Sequence, residues 1–169
     1  MTQRQPTVIF PTITALYTLC NAATWPTLLG ANGENLNSDG TVVTFGSLTK
    51  IPSRETVAVT GSVEDNEQRV WPEKGLNTKH EAFSTELIVA TVVPNRTEFE
   101  AWARLQVLVE FIDALLRDMT TGRPIIPQAI ALLGVYTWSS TTTRTALYPS
   151  DNGKFHASAG VSITVEADH

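Results

Sequence analysis

The sequence predicts an α+β domain: a mostly antiparallel β-sheet with a long helix and a shorter N-terminal helix packed on one face, and a C-terminal β-hairpin. Apolar side chains occupy every second position from Phe155 to Ala167, which is the period of a half-buried strand. A stretch of 24 residues before Thr120 carries apolar side chains at helical spacing. With 169 residues, the chain is long enough to bury the core of one domain, residues 1–169.

The first part of the chain predicts a short helix and two strands. Helical spacing joins Ile13, Leu16, Tyr17 and Cys20. This helix is expected to end near Ala23, and residues 1–10 are expected to be an N-terminal extension. A Gly- and Asn-rich connection, residues 25–40, then leads into a short strand, TVVTFG. The stretch ETVAVTGSV, residues 55–63, predicts the second strand.

The third strand and the long helix are the clearest elements. Residues 79–94 predict a strand that becomes apolar on both faces after Glu86 and is therefore covered on both sides. Asn95 is the predicted N-cap of a helix over residues 96–119, with Glu98 completing the cap, and Gly122 stops it. The predicted core stripe of this helix is Trp102, Leu105, Leu108, Val109, Ile112, Leu116 and Met119.

A second apolar group lies on the opposite side of the long helix. It consists of Phe99, Ala103, Val107, Phe111 and Ala114. A helix that lies on a sheet needs only one apolar stripe. Two explanations stay open: a further packing partner, such as a neighbouring subunit, or cover by the connection from Trp25 to Asn37.

The last third predicts two antiparallel strands joined by the turn at residues 150–153. Ile130, Leu132 and Val135 open the first strand, and the Thr-rich residues 139–145 suit an exposed β arm or loop. The last strand lies either at an open edge, where a partner's strand completes it, or in the centre of the sheet. Trp71 and Trp138 are either interface anchors or core residues.

Motifs for catalysis or cofactor binding are absent from the sequence. No G-x-S-x-G or G-x-x-x-x-G-K-[ST] motif is present, and His80, His156 and His169 are not at metal-ligand spacing. The carboxylate pair Asp65 and Glu67 is assigned to a polar turn. We therefore expect no enzyme activity, no cofactor and no metal, with His156 and His169 solvated.

The net charge and the single cysteine give further evidence about which partners and which cellular compartment to expect. A net charge of −5 and the lack of a Lys/Arg cluster argue against a surface that grips nucleic acid. Cys20 is the only cysteine, so an internal disulfide is excluded, and a buried apolar role is expected. The N-terminus lacks the apolar segment of a signal peptide, and no run reaches the roughly 18 apolar residues of a membrane span. Synthesis and use in a cytoplasm are therefore expected.

A family resemblance rests on the middle of the chain. Trp71, Gly75, Lys79, Glu81 and Phe83 lie in VWPEKGLNTKHEAFSTELIVATVV, ahead of the long helix and the C-terminal hairpin. Together with the preceding helix, loop and short strand, this order resembles the tail terminator (tail completion) proteins of long-tailed bacteriophages over roughly residues 10–168. The N-terminal MTQRQPTVIF and the Thr-rich residues 139–145 lie outside that pattern.

The resemblance implies a virion structural protein of the tail or neck, assembled in the cytoplasm of a host bacterium. It implies a hexameric ring that caps the tail tube, stops its elongation and meets the head–tail connector protein, with DNA passing through the lumen. Subunit or partner contacts are expected at Phe99, Ala103, Val107, Phe111, Trp138 and Phe155. The alternatives are another neck component such as a head–tail adaptor, a tail tube subunit, a small hydrolase or a ligand-binding module.

Overall fold

A computed structural model describes residues 7–73, 76–94 and 97–169, with the backbone alone for residues 71–73, 76, 77 and 149–151. Gly75, Asn95 and the side chain of Trp71, all used in the predictions above, lie outside the described part. The elements in chain order are α1 (Ile9–Ala22), β1 (Val42–Phe45), β2 (Thr56–Glu73), β3 (Leu76–Pro94), α2 (Glu98–Leu116), α3 (Gln128–Ala131), β4 (Val135–Asp151) and β5 (Lys154–Asp168). The predicted α+β class is confirmed.

The five strands form one sheet in the order β1-β2-β3-β5-β4. β1 runs parallel to β2, and the other three neighbouring pairs are antiparallel. The C-terminal strand β5 therefore lies in the interior of the sheet, paired with β3 on one side and β4 on the other. The edge position considered for β5 is wrong, because β4 folds back along its outer side.

The hydrophobic core occupies one face of this sheet. Cross-strand rows such as Val57, Val89 and Ala159 place their side chains side by side under the helices. α1 covers β1 and β2, whereas α2 covers β3, β5 and β4. The predicted inward residues of β5, from Ala157 to Ala167 at every second position, are all buried, and this alternation is confirmed.

Residues 1–10 were predicted to be an N-terminal extension, but the described part of this segment packs into the core. Val8 and Ile9 are buried, and α1 begins at Ile9, two residues before Pro11. The backbone N–H of Val8 donates to the Glu81 carboxylate of β3 at 3.2 Å, and Thr7 donates to the same carboxylate through its hydroxyl. Residues 7–10 are therefore part of the domain.

The hairpin of β2 and β3 is longer than predicted. β2 continues past Val63 to Glu73, so Asp65 and Glu67 lie within a strand and not in a turn. The pairing shifts register between Glu64 and Glu67, and Asp65 adopts a positive φ of 52°, as expected at a β-bulge. In β3, Ala90 and Val92 are buried on the face opposite the helices, so the predicted cover on both sides is confirmed.

The start of β4 differs from its prediction. Ile130 is a buried residue of the short helix α3, Leu132 is exposed just after it, and the strand begins only at Val135. Gly134 makes the corner with φ 94°, and its carbonyl accepts from the Asp168 N–H at 3.0 Å. A Cβ at residue 134 would lie 1.9 Å from the carbonyl oxygen of Asp168, so only glycine fits this corner.

Candidate subunit interface

Three large apolar side chains of α2 remain exposed to solvent over 40% or more of their surface. Phe99 is 76% exposed, Trp102 is 40% exposed and Val107 is 42% exposed. Phe99 and Val107 lie on one side of the helix with Ala103 between them, at a spacing of four residues, and Trp102 lies on the side next to β4. Scattered apolar residues are normal on a protein surface, but neighbouring ones are a typical feature of a binding surface. Of the predicted contact residues, Phe99 and Val107 are thus available to a partner, and Ala103 between them is half-buried.

The start of α2 is set by a capping box and not by Asn95. The Thr97 hydroxyl accepts from the backbone N–H of Glu100 at 3.3 Å, and the Glu100 carboxylate accepts from the Thr97 N–H at 2.9 Å. The helix ends where Arg117 adopts extended dihedrals. Phe99 therefore lies in the first turn, and the predicted core residue Met119 falls beyond the helix, where it is exposed.

The buried face of α2 is rotated relative to the predicted stripe. The residues that face the sheet are Ala101, Arg104, Leu105, Leu108, Ile112 and Leu116. Trp102 was predicted in this stripe but lies at its solvent-facing margin, and Arg104 takes a buried place. This correction has a polar cause, because Glu55, immediately before β2, is buried and contacts Arg104.

Glu55 and Arg104 form a bidentate ion pair that also holds the connection after α1. The Arg104 Nε and Nη2 atoms donate to the two Glu55 oxygens at 2.8 and 2.7 Å. Two backbone carbonyls, of Pro26 and Thr27, accept from the same guanidinium, and Thr41 donates to Glu55 at 2.6 Å. Such a network satisfies both buried charges, as their desolvation requires.

This anchored connection covers Phe111. The Phe111 and Trp25 rings lie 5.0 Å apart between centroids, and the Trp25 indole N–H donates to the Cys20 carbonyl at 3.0 Å. For Phe111 the explanation by the connection from Trp25 to Asn37 is therefore correct. Trp25 of the same subunit therefore covers much of the Phe111 ring, and little of this ring remains for a partner.

A groove runs between α2 and β4. Its walls are Trp102, Leu105 and Val109 from the helix and Thr142 and Thr145 from the strand, with Ala159 of β5 at its floor and a volume of about 330 Å³. Glu110 lies at its rim, where its carboxylate accepts from the Gln106 amide at 2.7 Å. The groove is an apolar channel with an acidic rim.

The outer edge of β4 borders this groove. In the part of the chain that the structure describes, β4 pairs with β5 alone, so its other edge keeps unpaired backbone N–H and C=O groups. Most side chains of the Thr-rich residues 139–145 are exposed. An open edge of this kind accepts an extended segment through backbone hydrogen bonds.

Two further expected contact residues lie inside the subunit. Trp138 is 2% exposed, and its indole N–H donates to the Leu116 carbonyl at 3.0 Å, so it ties β4 to the end of α2. Its assignment to an interface is wrong, because no surface remains for a partner. Phe155, at the start of β5, is partly buried against the core and offers only part of its ring.

At the end of the sheet opposite to Glu55, the side chain of Glu81 joins four segments of the chain. Its buried carboxylate accepts from Thr7 and Val8 before α1, from Gln68 of β2 at 3.2 Å and from Lys79 of β3 at 3.4 Å. The ring of His169, following β5, lies 3.3 Å from it. Burial raises the pKa of Glu81, but the hydrogen bonds and the Lys79 charge outweigh it and hold the pKa below its ordinary value.

The reverse face of the sheet carries a cleft of about 450 Å³ between the segment Leu48–Pro52 and strands β3, β5 and β4. His156 is buried at this cleft, and His169 is largely covered at Glu81, so the solvated state predicted for both is wrong. On the polar face of β5, His156 and Gly160 are buried, whereas Thr164 is exposed. Arg144 and Glu86 pair at 2.9 Å across Gly160, where a Cβ would lie 2.7 Å from the Glu86 carboxylate.

The described residues contain neither a metal site nor a membrane-spanning helix. Among them, no three His, Cys, Asp or Glu side chains are grouped to hold a metal ion. Every helix in this part of the chain is too short or too polar to cross a membrane. Cys20 is buried, and this burial raises the pKa of its thiol to about 11, as suits the apolar role predicted for it.

Comparisons with known proteins add no relative. The chain matches no protein-family model, and it has no significant match among curated proteins. The candidate site therefore rests on the geometry described above.

The polar residues that shape this surface were not predicted from the sequence. Arg104 interrupts the apolar pattern of α2, and this interruption is the signal that a buried partner exists. The partner, Glu55, lies 49 positions earlier in the chain, so spacing alone does not identify it. The groove was also missed, because it forms only where α2 lies beside β4.

Proposed function

We propose that this chain is a virion structural protein: a ring-forming tail terminator that caps a phage tail tube, stops its elongation and joins the tail to the head connector. The proposal combines the resemblance at Trp71, Gly75, Lys79, Glu81 and Phe83 with the α+β fold of the domain. The proposed terminator acts through its contact surfaces and not by catalysis. It is assembled in the cytoplasm of the host bacterium.

One observation carries the proposal: a single subunit has an exposed apolar helix face and, beside it, an open strand edge. Phe99, Trp102 and Val107 supply the apolar face, and β4 supplies the edge. A closed ring needs a contact in which one surface of each subunit meets a different surface of the next. The exposed residues of α2 and β4 are suited to one half of such a contact.

The other expected partners are the tail tube protein and the head–tail connector protein. DNA traverses the ring without specific binding, because the chain carries a net charge of −5 and a negative lumen repels phosphate groups. The ends of the subunit, away from the α2 and β4 surface, are then free to meet tube and connector.

The cleft on the reverse face favours one other function, a ligand-binding module. Lys50, Arg144 and Tyr148 line this cleft of about 450 Å³, which is within the size range of small-molecule sites. A ligand-binding module is expected to remain monomeric and to act without tail tubes. The two functions therefore differ in oligomeric state.

The native mass of the purified chain, alone and with assembled tail tubes, tests the proposal. We expect a discrete mass of about six subunits, or a ring seen by electron microscopy at one end of the tubes. Addition to polymerising tube protein is expected to shorten the tubes, because a capped end accepts no further subunit. A double variant with Phe99→Asp and Val107→Asp is the matched control. Because it lacks the apolar contact surface, tubes polymerised in its presence are expected to reach the same length as tubes without any added chain.

A chain that stays monomeric and leaves tube length unchanged would contradict the proposed function. A monomer that binds only at tube ends supports it and means that the ring assembles on its template. Release of a small molecule from the chain on denaturation, together with a monomeric mass, would instead favour the ligand-binding module.

A further inference from the structure

We propose that the cleft on the reverse face of the sheet binds a small organic anion, in which an apolar body carries a single anionic oxygen group. This inference goes beyond the proposed function, and it holds for a ring subunit and for a monomer alike. The cleft lies between residues 48–52 and strands β3, β5 and β4, and its volume of about 450 Å³ is within the size range of small-molecule sites.

Residues 48–52 form one wall of this cleft. They belong to the connection between β1 and β2, which are parallel, so the chain has to cross over the sheet between them. A crossover of this kind usually contains a helix, but residues 46–55 contain neither helix nor strand. Among the described residues, none forms a hydrogen bond with residues 48–52. The backbone N–H groups of Thr49, Lys50 and Ile51 are therefore available to a ligand.

One cation of the cleft is not neutralised by the described part of the domain. Lys50 is exposed, and no described carboxylate pairs with it. Arg144, the second cation of the lining, is paired with Glu86 at 2.9 Å, so its charge is already balanced. None of the described lining side chains is acidic, although the whole chain carries 17 acidic and 12 basic residues. The cleft therefore offers one unbalanced positive charge, which matches a ligand with one anionic group.

Other lining residues combine apolar walls with hydroxyl groups. The apolar side chains are those of Leu48, Ile51, Ile88, Ala90 and Ala146. The hydroxyl oxygens of Tyr148 and Ser158 lie 3.3 Å apart at the same cleft. Because one of these hydroxyls donates to the other, the accepting hydroxyl keeps its own proton for a ligand oxygen. A ligand with an apolar body against the walls and an anionic group near Lys50 satisfies these groups together.

Two fluorescent probes that differ in one charged group test this inference. The probe 1-anilinonaphthalene-8-sulfonate has an aromatic body and one sulfonate, whereas N-phenyl-1-naphthylamine has the same body without the sulfonate. Fluorescence titration of the full chain is expected to show saturable binding of the sulfonate probe. Its dissociation constant is expected to be about tenfold or more below that of the neutral probe, because the sulfonate adds a charged hydrogen bond to Lys50.

Substitution of Lys50 tests the anionic group. Lys50→Gln is expected to weaken binding of the sulfonate probe about tenfold and to leave the neutral probe unchanged. Because Lys50 is exposed, this change is not expected to affect folding. Lys154→Gln is the matched control, since Lys154 is an exposed lysine that does not line the cleft.

A bulky substitution tests the place of binding. Ala146→Phe puts a ring into the cleft and is expected to abolish binding of both probes there. Leu147→Phe is its control, because Leu147 is the next residue of β4, is 45% exposed and does not line the cleft. Circular dichroism checks the folding of both variants, and the measurement on Lys50→Gln decides if Ala146→Phe does not fold.

Weaker sulfonate binding in Lys50→Gln and in Ala146→Phe, with both controls unchanged, supports the site. Equal affinity for the two probes, or an unchanged affinity in Lys50→Gln, overturns the anion assignment. Sulfonate binding that survives Ala146→Phe but is lost in the double variant Phe99→Asp and Val107→Asp overturns the site, because the probe then binds at α2. Absence of saturable binding also overturns it. Native mass and tube length measure the proposed function separately, so either proposal can fail while the other stands.

Discussion

At the scale of single residues, two buried carboxylates hold segments that are distant in the chain. Glu55 joins β2 to α2 and to the connection after α1, and Glu81 joins the segment before α1 to β2, β3 and the end of β5. Both carboxylates are fully supplied with donors, so each converts a costly buried charge into a cross-link. They place α1 and α2 on the sheet and so define which residues of α2 remain exposed.

Loss of Arg104 is expected to destabilise the domain strongly. Arg104→Ala leaves the Glu55 carboxylate buried without its cation, and we expect the free energy of unfolding to fall by about 3–5 kcal/mol. Urea denaturation measures this change. Arg117→Ala is the control, because its pair with Asp113 is about 40% exposed and is worth at most about 1 kcal/mol. Equal losses in the two variants would contradict the burial of Arg104.

The stabilisation from Glu81 is expected to depend on pH. Its pKa is lower in the folded chain than the ordinary value of 4.5, so the ionised carboxylate favours folding. This contribution is fully present above the unfolded pKa and is lost as the pH falls through the folded value. Unfolding free energies of the wild type and Glu81→Gln, measured from neutral pH down to about pH 3, are expected to converge on acidification. A difference that stays constant over this range would contradict the prediction.

Cys20 is expected to be unreactive in the native chain. Burial raises the pKa of its thiol to about 11, so very little thiolate exists near neutral pH. A thiol reagent such as iodoacetamide is expected to label Cys20 only after denaturation, as measured by mass spectrometry. Rapid labelling of the folded chain would show that α1 opens readily at this position.

At the scale of the elements, the start of α2 determines whether Phe99 is held on the outer surface. Thr97→Ala removes the hydroxyl that accepts from Glu100, and we expect a loss of about 1 kcal/mol in the free energy of unfolding. Thr97→Ser retains the hydroxyl and is expected to stay close to the wild type. Thermal or urea unfolding measures both variants, and an equal loss in the two would show that the cap does not act through the hydroxyl.

At the scale of the whole molecule, the exposed face of α2 is expected to control association without controlling folding. Phe99→Asp with Val107→Asp changes side chains that are 76% and 42% exposed, so the circular dichroism and the unfolding midpoint are expected to change little. Sedimentation is expected to shift from the proposed oligomer to the monomer. Leu132→Asp is the control, since it adds a charge at an exposed apolar site away from α2 and is expected to preserve the oligomer.

Much of the fold was predictable because it depends on local periodicity. The alternation after Phe155 predicted the buried face of β5, and the helical spacing after residue 96 predicted α2. The candidate site was predictable only in part: Phe99 and Val107 lie on the exposed face, whereas Trp138 is buried and Phe111 is covered by Trp25. Periodicity identifies an apolar side chain but does not identify what covers it.

Apart from the short helix α3, the sequence by itself determined the kinds of element, their order and the α+β class, since side-chain periods of two and 3.6 residues act within a few positions. Only the tertiary structure decided that β5 lies inside the sheet, that β4 forms its edge and that α2 turns Trp102 outward. Strand order depends on pairings between distant segments, and the rotation of α2 depends on the Glu55 and Arg104 contact. Such long-range contacts leave no local pattern in the sequence.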